Sequence, residues 1–252
     1  RRAAMSALDR MPRGGPNASC LDRLLETDRP EYLDRDDVEP AVKRQVIRAL
    51  EITGQWFGNN DRFAHIALEE IVDVPDPRIL ELGSGHGRLA AKLAEMHPTA
   101  TLTVTDIDPD SVAAIAASEL ATDPRVSVRE MDATAIDAAD NSFDLAVFAL
   151  SFHHLPPAAA AKVLSEGTRV AGKFVIIDLP RPPSPLHLIQ LAAMLPLAPF
   201  VPFIHDGLIS SLRTYSPAAL RALGAHAGVN VELRGGPFEP QVVIATAGTL
   251  EP

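Results

Sequence analysis

The chain has 252 residues, 46% of them hydrophobic, enough for one α/β domain of ordinary size with appendages. A formal net charge of −10 and a pI near 5.2 make a nucleic-acid backbone a poor partner, and the arginines near the start (Arg1, Arg2, Arg10, Arg13) are too few to reverse that. The single cysteine, Cys20, excludes an intrachain disulfide, and without a Cys/His cluster no metal site is expected. The opening residues carry no signal-peptide pattern, and arginine outnumbers lysine as in GC-rich bacterial coding, so a cytoplasmic bacterial protein is expected.

Residues 1–37 mix Arg, Pro, Gly and Asp with little periodicity and read as an irregular arm. From Glu39 and Pro40 an amphipathic helix is expected, with Val42, Val46, Ile47 and Leu50 on one face and Gly54 as its stop. Residues 55–60 read as a turn carrying Trp56 and Phe57, and 61–72 as a second helix. Pro75 and Pro77 then part this helical preface, residues 1–76, from a core spanning 77–252.

The core alternates strand and helix, which implies a doubly wound, mostly parallel sheet. Strands are expected at 79–82, 100–105, 126–129, 143–150 and 173–178, and helices at 86–96, 112–120, 156–171 and 217–227. Segments 229–234 and 241–246 read as a terminal hairpin around Gly235, Gly236 and Pro237.

The chemistry concentrates behind the first core strand, in Glu81-Leu82-Gly83-Ser84-Gly85-His86-Gly87-Arg88. Glycines at every second position let the backbone turn tightly and approach a ligand, and the next helix opens its free N–H groups toward it. The spacing is not that of a dinucleotide fingerprint, because Arg88 stands where the third glycine belongs, nor is there a Gly-Lys-Ser/Thr phosphate loop. Glu81, closing the strand ahead of the loop, would repel phosphates but suits a cationic ligand. Asp106, at the end of the second strand, is placed to accept both hydroxyls of a ribose, with Asp110 or Ser111 free to cap the following helix. Asp132, ending the third strand, can accept from an adenine amino group.

The E-x-G-x-G-x-G string, the acid Asp106, the pair Asp132-Ala133, Asn141-Ser142-Phe143-Asp144, Phe152-His153-His154-Leu155 and Arg169-Val170-Ala171-Gly172-Lys173 resemble the successive motifs of the class I S-adenosylmethionine-dependent methyltransferases. The resemblance covers 78–178 and the terminal hairpin. It implies a Rossmann-like seven-stranded sheet of order 3-2-1-4-5-7-6 with strand seven antiparallel. It also implies S-adenosylmethionine as cofactor, with Glu81 near its amino group and Gly83, Ser84, Gly85, His86 and Gly87 along its methionine half. Asp106 and Ile107 would serve the ribose side, Asp132 and Ala133 the adenine, and Ala149 would close the site at the end of strand four.

In place of the Asn/Asp-Pro-Pro-aromatic stretch of the DNA adenine-amino methyltransferases stands Ala149-Leu150-Ser151-Phe152-His153-His154, so the resemblance points to the branch acting on small molecules. The expected acceptor is a hydroxylated apolar or aromatic metabolite of secondary metabolism, methylated on oxygen; carbon or nitrogen methylation, a non-catalytic cofactor-binding protein and a nicotinamide-dependent oxidoreductase are the rivals. Residues 182–205 contain no Asp, Glu, Lys or Arg, but Pro196, Pro199 and Pro202 argue against a membrane span. An insertion over about 180–214 is therefore expected as a lid or a homodimer surface. A hydroxyl acceptor calls for a base, for which His153 and His205, the latter beside Asp206, are the candidates. Trp56, Phe57, Phe152, His154, Arg213 and Tyr215 are the expected acceptor-side residues.

Overall fold

A computed structural model describes residues 8, 10–56, 58–236 and 239–248. Its seven strands are β1 (Arg78–Leu82), β2 (Thr101–Asp106), β3 (Val126–Glu130), β4 (Phe143–Ala149), β5 (Ala171–Asp178), β6 (Val229–Arg234) and β7 (Gln241–Ala247). They form one sheet of order β3-β2-β1-β4-β5-β7-β6. The first five run parallel, and β7 is antiparallel to both β5 and β6. The expected fold is therefore the observed one.

Central strands buried on both faces explain the near-continuous apolar runs of β4 and β5. On one face α6 (Pro157–Val170) and α9 (Pro217–Ala227) press Val163, Leu164, Leu220 and Leu223 onto Ala146, Phe174 and Val243. On the other, α3 (Asn59–Glu69) and α4 (Arg88–Met96) place Phe63, Ala67, Leu89 and Leu93 over Ile79, Leu102 and Leu145. On that second face α5 (Pro109–Ala116) packs over β2 and β3 and contributes Ile115 to the layer.

Local departures from expectation have physical reasons. α2 (Pro40–Trp56) runs through Gly54 rather than stopping there, because a helical glycine costs only about 1 kcal/mol and the chain turns later, at Gly58 with φ +60°. Trp56 is thus the last helical residue rather than part of a turn, and Phe57 lies outside the described residues. The helix after β2 starts at Pro109 and is capped by Asp108, which accepts from the backbone of Asp110 and Ser111. Asp110 and Ser111 are therefore the capped residues, not the cap.

The N-terminal arm is the larger surprise. It contains a short helix, α1 (Cys20–Leu24), opened by a reciprocal Ser19–Asp22 capping box. Arg13, Leu25 and Glu31 are buried, at 5%, 6% and 6% exposure. The insertion folds as α7 (Ser184–Met194) and α8 (Pro202–Arg213), and no helix among the described residues is long and apolar enough to cross a membrane.

Candidate functional site

The carboxyl ends of the parallel strands carry two distinct groups of side chains. Over β1 and β2, Gly83, Gly85 and Gly87 all have positive φ (+58°, +53° and +70°), a conformation that L side chains rarely adopt. A Cβ at Gly83 would stand 2.6 Å from the Phe148 ring, while one at Gly85 would meet nothing within 4 Å. Gly85 therefore borders open space, where a ligand can lie against bare backbone. Ser84, expected to face that ligand, is instead buried: its hydroxyl donates to Thr105 O at 3.0 Å and accepts from Thr105 N at 3.2 Å, tying the loop to β2. His86 is exposed.

Asp106 is 8% exposed and holds the loop, accepting from Gly85 N at 2.7 Å and from Asp108 N at 2.9 Å. Next to it Ile107 is 63% exposed, an apolar side chain left open beside the loop. Asp132 is exposed, with one oxygen accepting from Thr134 N at 2.7 Å, while Ala133 is partly buried against the core and Ala149 ends β4, half-buried. Glu81 is 3% exposed, and its Oε2 has no hydrogen-bond partner. Burial, reinforced by Asp106, lifts its carboxyl to about 8 against the pull of Ala90 N and Ser84. A buried carboxyl short of a partner, which a cation beside it would help to ionise, an open left-handed glycine and an exposed apolar residue fit a cationic sulfonium nucleoside with an amino group.

Over β4 and β5 the side chains are knit together across long stretches of sequence. Leu150 leaves β4 in the left-handed region, φ +53°, an uncommon conformation for a branched residue, and turns the chain into the single 3₁₀ turn Phe152–His154. His153 is 3% exposed; its Nδ1 pairs with Asp178 Oδ1 at 2.7 Å, and its Nε2 lies 3.5 Å from Glu31 Oε1. Burial opposes its charge, but Asp178 and Glu31 outweigh that and raise it to about 9. At neutral pH His153 thus already carries a proton. His154, half-buried, pairs through Nδ1 with Asp34 Oδ2 at 3.1 Å. Burial would raise Asp34, yet His154 and Arg213 hold it down at about 2.

Arg213 is buried and donates to Asp34 at 3.1 Å and to His154 O at 2.7 Å, so it anchors the arm rather than lining an open surface. Tyr215 is 2% exposed, its hydroxyl donating to Leu155 O at 2.7 Å under the Arg13 guanidinium. Phe152 is 1% exposed and meets Phe148 and Tyr215 edge-on. These two aromatic residues, expected against an acceptor, are core, because the 3₁₀ turn points Phe152 inward. The other histidine pair is more open: His205 Nδ1 lies 2.9 Å from Asp206 Oδ1, its ring stacks on Tyr32 at 3.8 Å, and it lines a cavity of about 280 Å³ with Arg29, Pro30, Arg35 and Ile209.

Glu31, Asp34 and Asp178 were not anticipated as site residues. Asp178 had a signal, an acid at a strand end; Glu31 and Asp34 had none, lying in an arm without periodicity.

A model of the methyltransferase-domain family matches residues 79–173. Similar too is the demethylmenaquinone methyltransferase of Thermus thermophilus, 29% identical over 187 residues that cover 69% of this chain and 84% of that protein. Among solved structures, the pyocyanin biosynthetic protein PhzM shares the fold with a TM-score of 0.62 at 18% identity, over 86% of this chain and 61% of its own. A SAM-dependent methyltransferase from Aquifex aeolicus does so with a TM-score of 0.50 at 19% identity, over 70% and 87%.

Proposed function

The chain belongs to the class I S-adenosylmethionine-dependent methyltransferases, and from that premise we propose that it methylates an oxygen of a small, apolar or aromatic hydroxylated acceptor. The observation that carries the reading is a pair of histidine–carboxylate contacts suited to a hydroxyl, His153 with Asp178 at the ends of β4 and β5 and His205 with Asp206 on α8 against the arm. The acidic surface charge supports a small molecule over nucleic acid. An apolar ring also accords with the similarity to a demethylmenaquinone methyltransferase, whose name favours carbon as the second reading.

The bound cofactor supplies a methyl group on a sulfonium sulfur. Glu81 receives its amino group, the 83–87 loop its methionine half, Asp106 with Ile107 its ribose side, Asp132 and Ala133 its adenine, and Ala149 flanks it. The chain contributes alignment and exclusion of water, the arm and α8 acting as the roof. For proton removal we assign His205 rather than His153. Asp206 fixes the His205 tautomer with Nε2 free to accept, whereas His153 is held protonated between two carboxylates.

The test is turnover of labelled cofactor against a panel of phenols and quinols, with the product's methylated atom assigned by NMR. Oxygen methylation that falls about 10²–10⁴-fold in His205→Ala is expected. A carbon-methylated product, or an unchanged rate, overturns the acceptor atom or the base respectively.

A further inference from the structure

We propose that Glu31, His153 and His154 bind one divalent transition-metal ion, zinc being the ion their donors suit best, between the N-terminal arm and the ends of β4 and β5. Glu31 Oε1 lies 3.5 Å from His153 Nε2 and 3.9 Å from His154 Nε2, and one donor atom from each residue falls within 4.8 Å of the others. Tetrahedral ligands at about 2.0–2.2 Å from zinc stand roughly 3.3–3.6 Å apart, a spacing that Glu31 and His153 already have and that the widest pair reaches by closing at most about 1.5 Å.

What distinguishes this cluster from a chance meeting of polar groups is the shell behind it. Each imidazole is turned by a carboxylate on its far nitrogen: Asp178 Oδ1 at 2.7 Å on His153 Nδ1, and Asp34 Oδ2 at 3.1 Å on His154 Nδ1. Both Nε2 atoms are thereby aimed at Glu31, where a bound ion takes the place of the proton that His153 carries, the arrangement that histidine ligands of metals almost always show. The Glu31 carboxylate is itself oriented, accepting from Ser210 Oγ at 2.6 Å. Glu31 and His153 are buried and His154 is 29% exposed, so the ion reaches the site past His154. Charge points the same way. The carboxylates of Glu31, Asp178 and Asp34 surround the two imidazoles, and a cation that displaces the His153 proton offsets their charge. A buried imidazolium clamped by Glu31 and Asp178 would need only His153; a metal gives His154 and Asp34 their place as well.

The inference concerns metal binding and is tested without cofactor or acceptor, so its failure leaves the methyl-transfer reading untouched. The full chain, stripped with a chelator, is titrated with Zn²⁺ by calorimetry and with Co²⁺ by visible absorption. One ion per chain with a dissociation constant below about 1 µM is expected, with a rise in melting temperature on metal addition. His154→Gln and Glu31→Gln should each weaken binding at least about 100-fold, and Asp34→Asn about 10–100-fold although it touches no metal. Unfolded fractions are excluded by the far-UV spectrum of each apo variant, and His154→Gln decides alone should Glu31→Gln not fold. Absence of stoichiometric binding by the wild type, or binding that survives His154→Gln, overturns the proposal.

Discussion

The two groups of side chains at the carboxyl ends of the parallel strands are built by different means. Over β1 and β2, backbone conformation does the work: three left-handed glycines and an aspartate that braces Gly85 from only 21 residues away. Over β4 and β5, side chains do it across great separations. Glu31 meets Ser210 over 179 residues, Tyr32 meets Asp206 over 174, and Asp34 meets His154 over 120. The first kind of site is written in one short string; the second exists only once the chain has closed.

The largest effect that would break this contrast lies in the arm's clamp. Arg181, 6% exposed, donates to Thr214 O, Asp22 O and Leu25 O at 3.1, 3.1 and 2.9 Å. Arg181→Ala strands those carbonyls and should cost about 3–5 kcal/mol in denaturant unfolding, while cofactor affinity stays within about threefold. Equal loss of cofactor binding would show that the two ends are one cooperative unit.

That asymmetry also explains what could be read in advance. The strand order, the glycine loop and Asp106 were legible because period, glycine spacing and strand-end acids are local signals. Arg213 and Tyr215, expected against an acceptor, are buried anchors of the arm and the core. Glu31 and Asp34 were illegible: nothing in the arm's composition says that it folds back over α8. Gly54 misled because a glycine inside a helix and one that ends it look alike in a string.

The next effect sharpens the cofactor end. Glu81, lifted to about 8 from an ordinary 4.5, binds its proton more tightly folded than unfolded. Its contribution to stability is therefore full below pH 4.5 and lost as pH rises through 8, by about 3 kcal/mol between pH 4.5 and 7. Glu81→Gln removes that dependence, so the stability difference between variant and wild type should grow in the variant's favour by about that amount. A difference independent of pH would mean Glu81 is already ionised and partnered.

Asp106→Ala comes third. It removes the acceptor of Gly85 N and, on the proposed binding mode, of the ribose hydroxyls, so calorimetry should show cofactor affinity weaker by about 2–3 kcal/mol. Unchanged affinity would detach Asp106 from the cofactor.

The smallest effect belongs to the exposed stretch of the insertion around Leu195 and Phe200, which lies outside both networks. Leu195 and Phe200 are 62% and 82% exposed. Neither fills the core, so Leu195→Ser with Phe200→Ser should change unfolding stability by less than about 0.5 kcal/mol each. Cofactor affinity should stay as it is, because the glycine loop belongs to the other half of the sheet. Large apolar side chains left in water nevertheless mark surfaces that are covered in use. A lid predicts a raised KM for the acceptor with unaltered mass, and a dimer surface predicts a lower sedimenting mass with unaltered KM. If the double variant changes neither, 186–203 is a surface without either role, and the acceptor end is roofed by the arm and α8 alone.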